Sequence, residues 1–285
     1  MSEFAGKVAI VTGAGIRGSN ENVKIGIGPT IAKCLADHGA KVVLVDITSP
    51  FNDYPQFLPP KESQLEQVAD DLRKLGHESI SVKGDVGIAE DVDKIMNTAI
   101  DRFGRIDILV NNAGICILQP LIEMDEKVFD LTHQVIVKGS FLCSRAAARI
   151  MIDQGEGGRI INISSILGKV GSLFCGAYSA AKAAVIGMSR VMAQEWAHHK
   201  ITVNTICPGF IETHLLEGEH GVFDMGSTLL GITPEKQKKI LLSQVPAGRF
   251  GIPQDVAEMV MFLSSPKAEY ITGQAINVDG GTIMY

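Results

Sequence analysis

The chain has 285 residues, 46% of them hydrophobic, and a formal net charge of −6 at pH 7. This is enough for a sizeable core in one α/β domain, and the acidic balance, with no basic run, argues against nucleic acid or an anionic membrane as partner. No stretch approaches the roughly twenty apolar residues of a membrane span.

Lys7-Val8-Ala9-Ile10-Val11-Thr12 is a β-branched run without a polar face, as expected of a parallel strand buried on both sides. The chain begins this strand almost at once, so no signal peptide is expected. The strand runs into Gly13-Ala14-Gly15, and a helix is predicted over 28–37. A second strand, 41–45, ends at Asp46. Strand, glycine turn, helix, strand and acid in this order read as a dinucleotide-binding unit. Glycines let the backbone approach a pyrophosphate, a helix N-terminus donates N–H groups to it, and the acid takes ribose hydroxyls. Later strands are predicted at 79–83, 106–110, 159–163, 201–206 and 275–278, with helices at 62–75, 89–103, 126–153, 177–196 and 254–263. The alternation describes a doubly wound parallel sheet of the Rossmann type.

Ser165 falls just beyond the strand at 159–163, and Tyr178 and Lys182 lie one helical turn apart, on one face. A phenol titrates at about pH 10, too high for a base at neutral pH, and an adjacent ammonium is expected to lower that value. Ser165 would then hold a substrate oxygen while Tyr178 gives or takes its proton. The five cysteines (Cys34, Cys116, Cys143, Cys175, Cys207) have no Cys-x-x-Cys spacing. They suit a reduced cytoplasm, and neither they nor the histidines suggest a metal site.

Thr12-Gly13, Gly26-Ile27-Gly28, Asp46, Gly84-Asp85-Val86, Asn111-Asn112-Ala113-Gly114, Ser165 with Tyr178 and Lys182, Asn204, Pro208-Gly209-Phe210-Ile211-Glu212-Thr213 and Val278-Asp279-Gly280-Gly281 follow one another along the chain. In this order they resemble the short-chain dehydrogenase/reductase family over nearly the whole length. The resemblance implies about seven strands in the order 3-2-1-4-5-6-7 and an oxidoreductase with Ser165, Tyr178 and Lys182 as catalytic residues. It also implies that Gly13, Gly26, Ile27 and Gly28 line the pyrophosphate, with Asp85 and Val86 at the adenine. Asn112, Ala113 and Gly114 would line the cofactor channel, and Pro208, Gly209, Ile211 and Thr213 the nicotinamide end. Tyr178 and Lys182 would touch the cofactor too, and the chain would be a homo-oligomer, tetramer or dimer. Asp46 would repel a 2′-phosphate, so NAD(H) is expected over NADP(H). Arg17, in the glycine turn, could instead reach that phosphate.

Three features depart from the family pattern. The glycine turn is stretched by residues 14–25, so Gly15 or Gly18 could replace Gly26 as its second glycine. An insertion, 48–61, carries four prolines and the aromatics Phe51, Tyr54 and Phe57. It resembles one in carveol-dehydrogenase-like members, and would either fold over the adenosine half of the cofactor or pack on a neighbouring subunit. Finally, Ile136 stands where the family places an Asn that links the Lys to solvent through a water. Proton relay would then need Gln134, His133 or a water held by backbone.

Residues 210–245 are expected to form a substrate lid, a long, mobile loop in which apolar and glycine residues mix before Thr233-Pro234 opens a helix. Leu173, Phe174 and Cys175, with Cys116, Ile117 and Leu118, would add apolar wall. No Arg or Lys lies in these walls or in the lid up to Leu230, Lys169 apart, so an anionic substrate lacks an evident clamp. The reading is an NAD(H)-dependent interconversion of a secondary alcohol and a ketone on a neutral hydrophobic ring (terpenoid, steroid, flavonoid or isoflavanone). The alternatives are a 3-oxoacyl-thioester reductase and a catalytically silent partner subunit.

Overall fold

The strands are β1 (Val8–Thr12), β2 (Lys41–Asp46), β3 (Ser79–Lys83), β4 (Ile108–Asn111), β5 (Gly158–Ile163), β6 (Ile201–Pro208) and β7 (Ala275–Val278). They form one parallel sheet in the order β3-β2-β1-β4-β5-β6-β7. This computed structural model describes residues 2–17, 25–49, 60–218 and 221–285. Among the described residues no helix is long and apolar enough to cross a membrane.

Side-chain alternation explains the layering. From β1, Ala9 and Val11 enter one core with helices α1 (Ile27–Asp37) and α2 (Glu62–Lys74); Val8 and Ile10 enter another with α3 (Ala89–Phe103). A strand clothed on both faces can be β-branched throughout, and β1 is buried at every residue. The order reverses between β1 and β4, and such a switch point opens a crevice beyond the carboxyl ends of the strands.

Several sequence-based boundaries shift for physical reasons. β4 begins at Ile108 rather than 106, because the Gln154 side chain bonds both the N–H and the carbonyl of Ile106 in place of a strand neighbour, each at 2.8 Å. β6 runs on to Pro208, held by its pairing with β7. The helix expected over 126–153 is α4 (Glu126–His133), a wider π turn (Gln134–Lys138) and α5 (Gly139–Gln154). A long helix, α6 (Gly176–Trp196), precedes β6, and α10 (Pro253–Ser264) precedes β7.

The segment read as a long loop before Thr233 contains helices α7 (His214–Glu217) and α8 (Val222–Leu230), and α9 (Pro234–Ser243) follows where a helix was expected. Its apolar residues sit on helical faces: Leu216 and Phe223 pack with Val245 and Phe250. Thr233 caps α9 with Pro234 in the first turn, as the Thr-Pro pair predicts.

Candidate active site

The glycine turn closes on β4. Thr12 Oγ1 accepts from the backbone N–H groups of Asn112 (3.0 Å) and Ala113 (3.1 Å). The Asn112 amide donates back to the carbonyls of Thr12 and Gly13, each at 3.0 Å. Thr12 is thus the buckle of the turn, a role that composition around it did not reveal. α1 crosses so closely that a Cβ on Gly28 would stand 2.2 Å from the Gly13 carbonyl oxygen, so only glycine fits. Gly26 precedes the first turn of α1, supplies no side-chain cap, and no acid follows it there. Such a turn leaves N–H groups for an anion. Gly18, the rival second glycine, lies outside the described residues; Gly15 does not lie on α1 at all.

Gly15 instead meets the acid. Its N–H donates to Asp46 Oδ2 at 2.9 Å, and the Ile47 N–H donates to Oδ1 at 2.8 Å. Arg17 lies 3.9 Å from Oδ1. Asp46 is buried, and burial raises its carboxyl pKa, against the Arg17 charge and the two N–H donors. The end of the insertion returns here, since a Cβ on Gly15 would lie 2.3 Å from Pro60 Cγ. Residues 50–59, with the insertion's three aromatics, lie outside the described residues. Asp85 and Val86 follow β3, whose neighbouring Gly84 N–H bonds the Asp46 carbonyl at 3.1 Å. The glycine turn, the α1 N-terminus and Asp46 therefore fit the phosphates and ribose of a dinucleotide.

Across the switch point, Ser165 follows β5 and accepts from the Leu167 N–H at 3.1 Å. It lies close enough to the Tyr178 hydroxyl to favour the phenolate. Lys182, on the same face of α6, is buried; its Nζ donates to the Ile163 carbonyl at 2.7 Å and stands 5.5 Å from the centre of the Tyr178 ring. Ser164 ties the backbone of the same turn, its Oγ donating to the Lys182 carbonyl at 2.8 Å. The three sequence-selected residues meet at one point.

Their protonation differs from the sequence-based expectation. Burial pushes the Tyr178 hydroxyl far above its ordinary value, and nearby Cys116, Cys175 and Cys207 push the same way. Burial lowers Lys182 to about 8. The ammonium is drawn to a strand carbonyl rather than to the phenol, so desolvation outweighs charge stabilisation.

Ile136 belongs to the π turn and packs with Ala181, Val185 and Tyr178. Neither suggested substitute relay turns toward Lys182. The His133 ring stacks on Phe129 and bonds the Phe129 carbonyl at 2.9 Å, while Gln134 packs against Gly87 beside Asp85.

Pro208 ends β6, and the Gly209 N–H bonds the Val278 carbonyl at 3.0 Å. Ile211 bridges to Gly251, and Thr213 precedes α7 with its hydroxyl on the Ile211 carbonyl at 3.3 Å. Gly114 sits beside the lysine: a Cβ there would be 3.6 Å from Lys182 Nζ. Over Tyr178 the wall is apolar, formed by Leu118, Phe174, Cys116, Cys175, and Val222 and Met225 of α8. A neighbouring cleft of about 530 Å³ is lined by Pro120, Leu121, Leu173 and Phe174 among others. Lys169 turns away, its Nζ donating to the carbonyls of Ala275 (2.8 Å) and Tyr285 (3.0 Å). Among the described residues no cluster of His, Cys, Asp or Glu could hold a metal ion.

Comparison with known proteins agrees with this geometry. Residues 23–282 match a family model described as enoyl-(acyl carrier protein) reductase. The chain is 36% identical to the 3-oxoacyl-[acyl-carrier-protein] reductase of Synechocystis sp., covering 100% of both chains. It is 35% identical to the 2-dehydro-3-deoxy-D-gluconate 5-dehydrogenase of Escherichia coli, covering 97% of this chain and 95% of that one. A crystal structure of a short-chain type dehydrogenase/reductase from Mycobacterium marinum superposes with a TM-score of 0.82 at 30% identity, over 99% of this chain and 98% of the other. The chain therefore belongs to the short-chain dehydrogenase/reductase family.

Proposed function

We propose that this protein is an NAD(H)-dependent oxidoreductase that interconverts a ketone and a secondary alcohol on a neutral, apolar ring substrate. Family membership makes it an oxidoreductase of a family that uses NAD(P)(H); the choice of NAD(H) and of substrate is our reading. The single observation carrying it is the wall over Tyr178, formed by apolar side chains and two thiols, with the Lys169 ammonium engaged elsewhere.

The bound cofactor would supply the hydride. Gly13, Gly26, Ile27 and Gly28 would hold its phosphates, Asp46 its ribose hydroxyls, and Asp85 and Val86 its adenine. Asn112, Ala113 and Gly114 would border its channel, with Pro208, Gly209, Ile211 and Thr213 at the far end. Ser165 and Tyr178 would both hydrogen-bond the substrate carbonyl oxygen, and Tyr178 would give that oxygen its proton. Burial raises the Tyr178 pKa, which suits it to give a proton to a ketone oxygen. Lys182 would place its charge beside the developing phenolate and bind the ribose. Helices α7–α9, within 210–245, would cover the substrate and exclude water.

The relatives divide between a thioester reductase and a sugar-acid dehydrogenase, so likeness alone does not choose the substrate. The thioester remains the second reading, favoured by the first of these. Turnover on ring ketones and 3-oxoacyl thioesters, each with NADH and NADPH, decides. Faster thioester reduction with NADPH would overturn our reading, and no turnover with either class would favour a silent subunit.

We also propose a homo-oligomer. Strand β7 is only partly buried, and Phe262, Met284 and Tyr285 near it are exposed. A second copy would cover such a face.

A further inference from the structure

We propose that Cys116 and Cys175 form a reversible dithiol–disulfide pair in the wall over Tyr178, closed by peroxide, and that closing it stops turnover. The inference rests on the placement of the thiols and not on the identity of the substrate.

The two cysteines are 59 positions apart in the chain. β4 and β5 deliver the segments that carry them to the same edge of the sheet. There the segments are fastened by a parallel bridge between Gln119 and Cys175, with the Gln119 N–H on the Phe174 carbonyl at 2.9 Å. Both thiols are buried in the cluster that holds the Tyr178 ring, close enough that each shifts the other's pKa. The remaining thiols lack such a partner. Cys34 pairs with Gln254, and Cys143 lies in the core, where burial pushes it up to about 12. Cys207 is buried beside Ser164.

Their proximity divides the chemistry between the pair: the interaction lowers the Cys175 pKa, while it and burial raise that of Cys116. Cys175 is therefore the attacking sulfur. Its thiolate attacks one peroxide oxygen; an S–O bond forms, the O–O bond breaks, and the departing oxygen leaves as water after protonation. The Cys116 sulfur, losing its proton, then attacks the sulfenic sulfur. The S–S bond forms, the S–O bond breaks, and a second water leaves. Two electrons pass from the thiols to peroxide, and an external dithiol returns them.

Cys175 immediately precedes α6, and Tyr178 lies in the first turn of that helix. A covalent tie to Cys116 draws this turn toward the β4 segment and moves the phenol relative to Ser165.

The test uses the full chain, treated with hydrogen peroxide, quenched with a thiol-alkylating agent and examined by mass spectrometry and turnover. We expect a loss of about 2 Da mapped to a Cys116–Cys175 linked peptide. Turnover of the best ketone should fall roughly tenfold or more and return with dithiothreitol, as reversible closure requires. Cys175→Ala and Cys116→Ala, each compared with its own untreated rate, should keep their activity. The linked peptide is read without any substrate, so failure of the functional reading would not hide it. A disulfide between other cysteines, no linked peptide, a linked pair with unchanged turnover, or variants as sensitive as wild type would each overturn the proposal.

Discussion

Lys182 Nζ donates to the carbonyl of Ile163 at 2.7 Å, at the end of the strand that also delivers Ser165. This one bond places a buried ammonium behind Tyr178 and explains why its charge is costly. Burial lowers Lys182 to about 8 from 10.5.

The first prediction concerns that charge. The fold favours neutral Lys182, so wild-type stability should rise as pH climbs from about 8 to about 10.5, and the whole cost, about 3 kcal/mol, stands below that window. Lys182→Met should therefore raise stability at pH 7 by up to about 3 kcal/mol, with the gain vanishing near pH 10.5. Wild-type turnover should decline as pH passes through about 8, and the variant should be inactive. Urea unfolding at both pH values checks the first part; a variant less stable than wild type at pH 7 would refute it.

Tyr178→Phe should cut turnover by roughly 1000-fold while NADH still binds, because Phe keeps the ring but has no proton to give. Single-turnover kinetics and NADH fluorescence separate these effects. Near-wild-type activity would remove Tyr178 from the mechanism.

Asp46 should set cofactor choice. Wild type should prefer NADH, and Asp46→Ala should narrow the gap by removing ribose hydrogen bonds and phosphate repulsion together. Arg17 lies 3.9 Å from the carboxylate and is released by that change. Equal wild-type use of both cofactors would shift the assignment to Arg17.

Ile136→Asn should cost about 2 kcal/mol, because Ile136 is buried among Ala181, Val185 and Tyr178. Turnover should nevertheless rise, since His133 and Gln134 are turned elsewhere and give Lys182 no relay. Thermal unfolding with initial rates tests both; a slower variant would mean that protons already reach Lys182 by another route.

Light scattering at micromolar concentration should give a mass of at least a dimer. A monomer would mean that β7 is an exposed edge in solution.

Most of the sheet was legible because its strands are apolar on both faces, a pattern that survives without knowledge of neighbours. Tyr178 and Lys182 were legible because helical spacing fixes which side chains share a face. The start of β4 was not, since the Gln154 side chain that satisfies Ile106 comes from 48 residues away. Helices α7 and α8 were hidden by glycines: Gly218, Gly221 and Gly231 flank them and read as loop. The direction of the Tyr178 pKa shift was not legible because sequence gives the distance along a helix but neither the burial nor which carbonyl captures the ammonium. Thr12 was visible as a residue, yet its bonds to Asn112 and Ala113 exist only once β1 and β4 lie together.

Phe174 adopts a left-handed backbone, with φ of 64°. That conformation suits glycine or asparagine and costs a bulky residue about 1–3 kcal/mol. The same residue contributes its ring to the wall over Tyr178 and its carbonyl to Gln119. Two demands on one position are thus in conflict, and the ring has prevailed over backbone comfort. Redesign of the wall consequently has an unusual bargain at this site: Phe174→Gly would relieve the chain while opening the pocket, so enlarging the substrate range here need not weaken the fold.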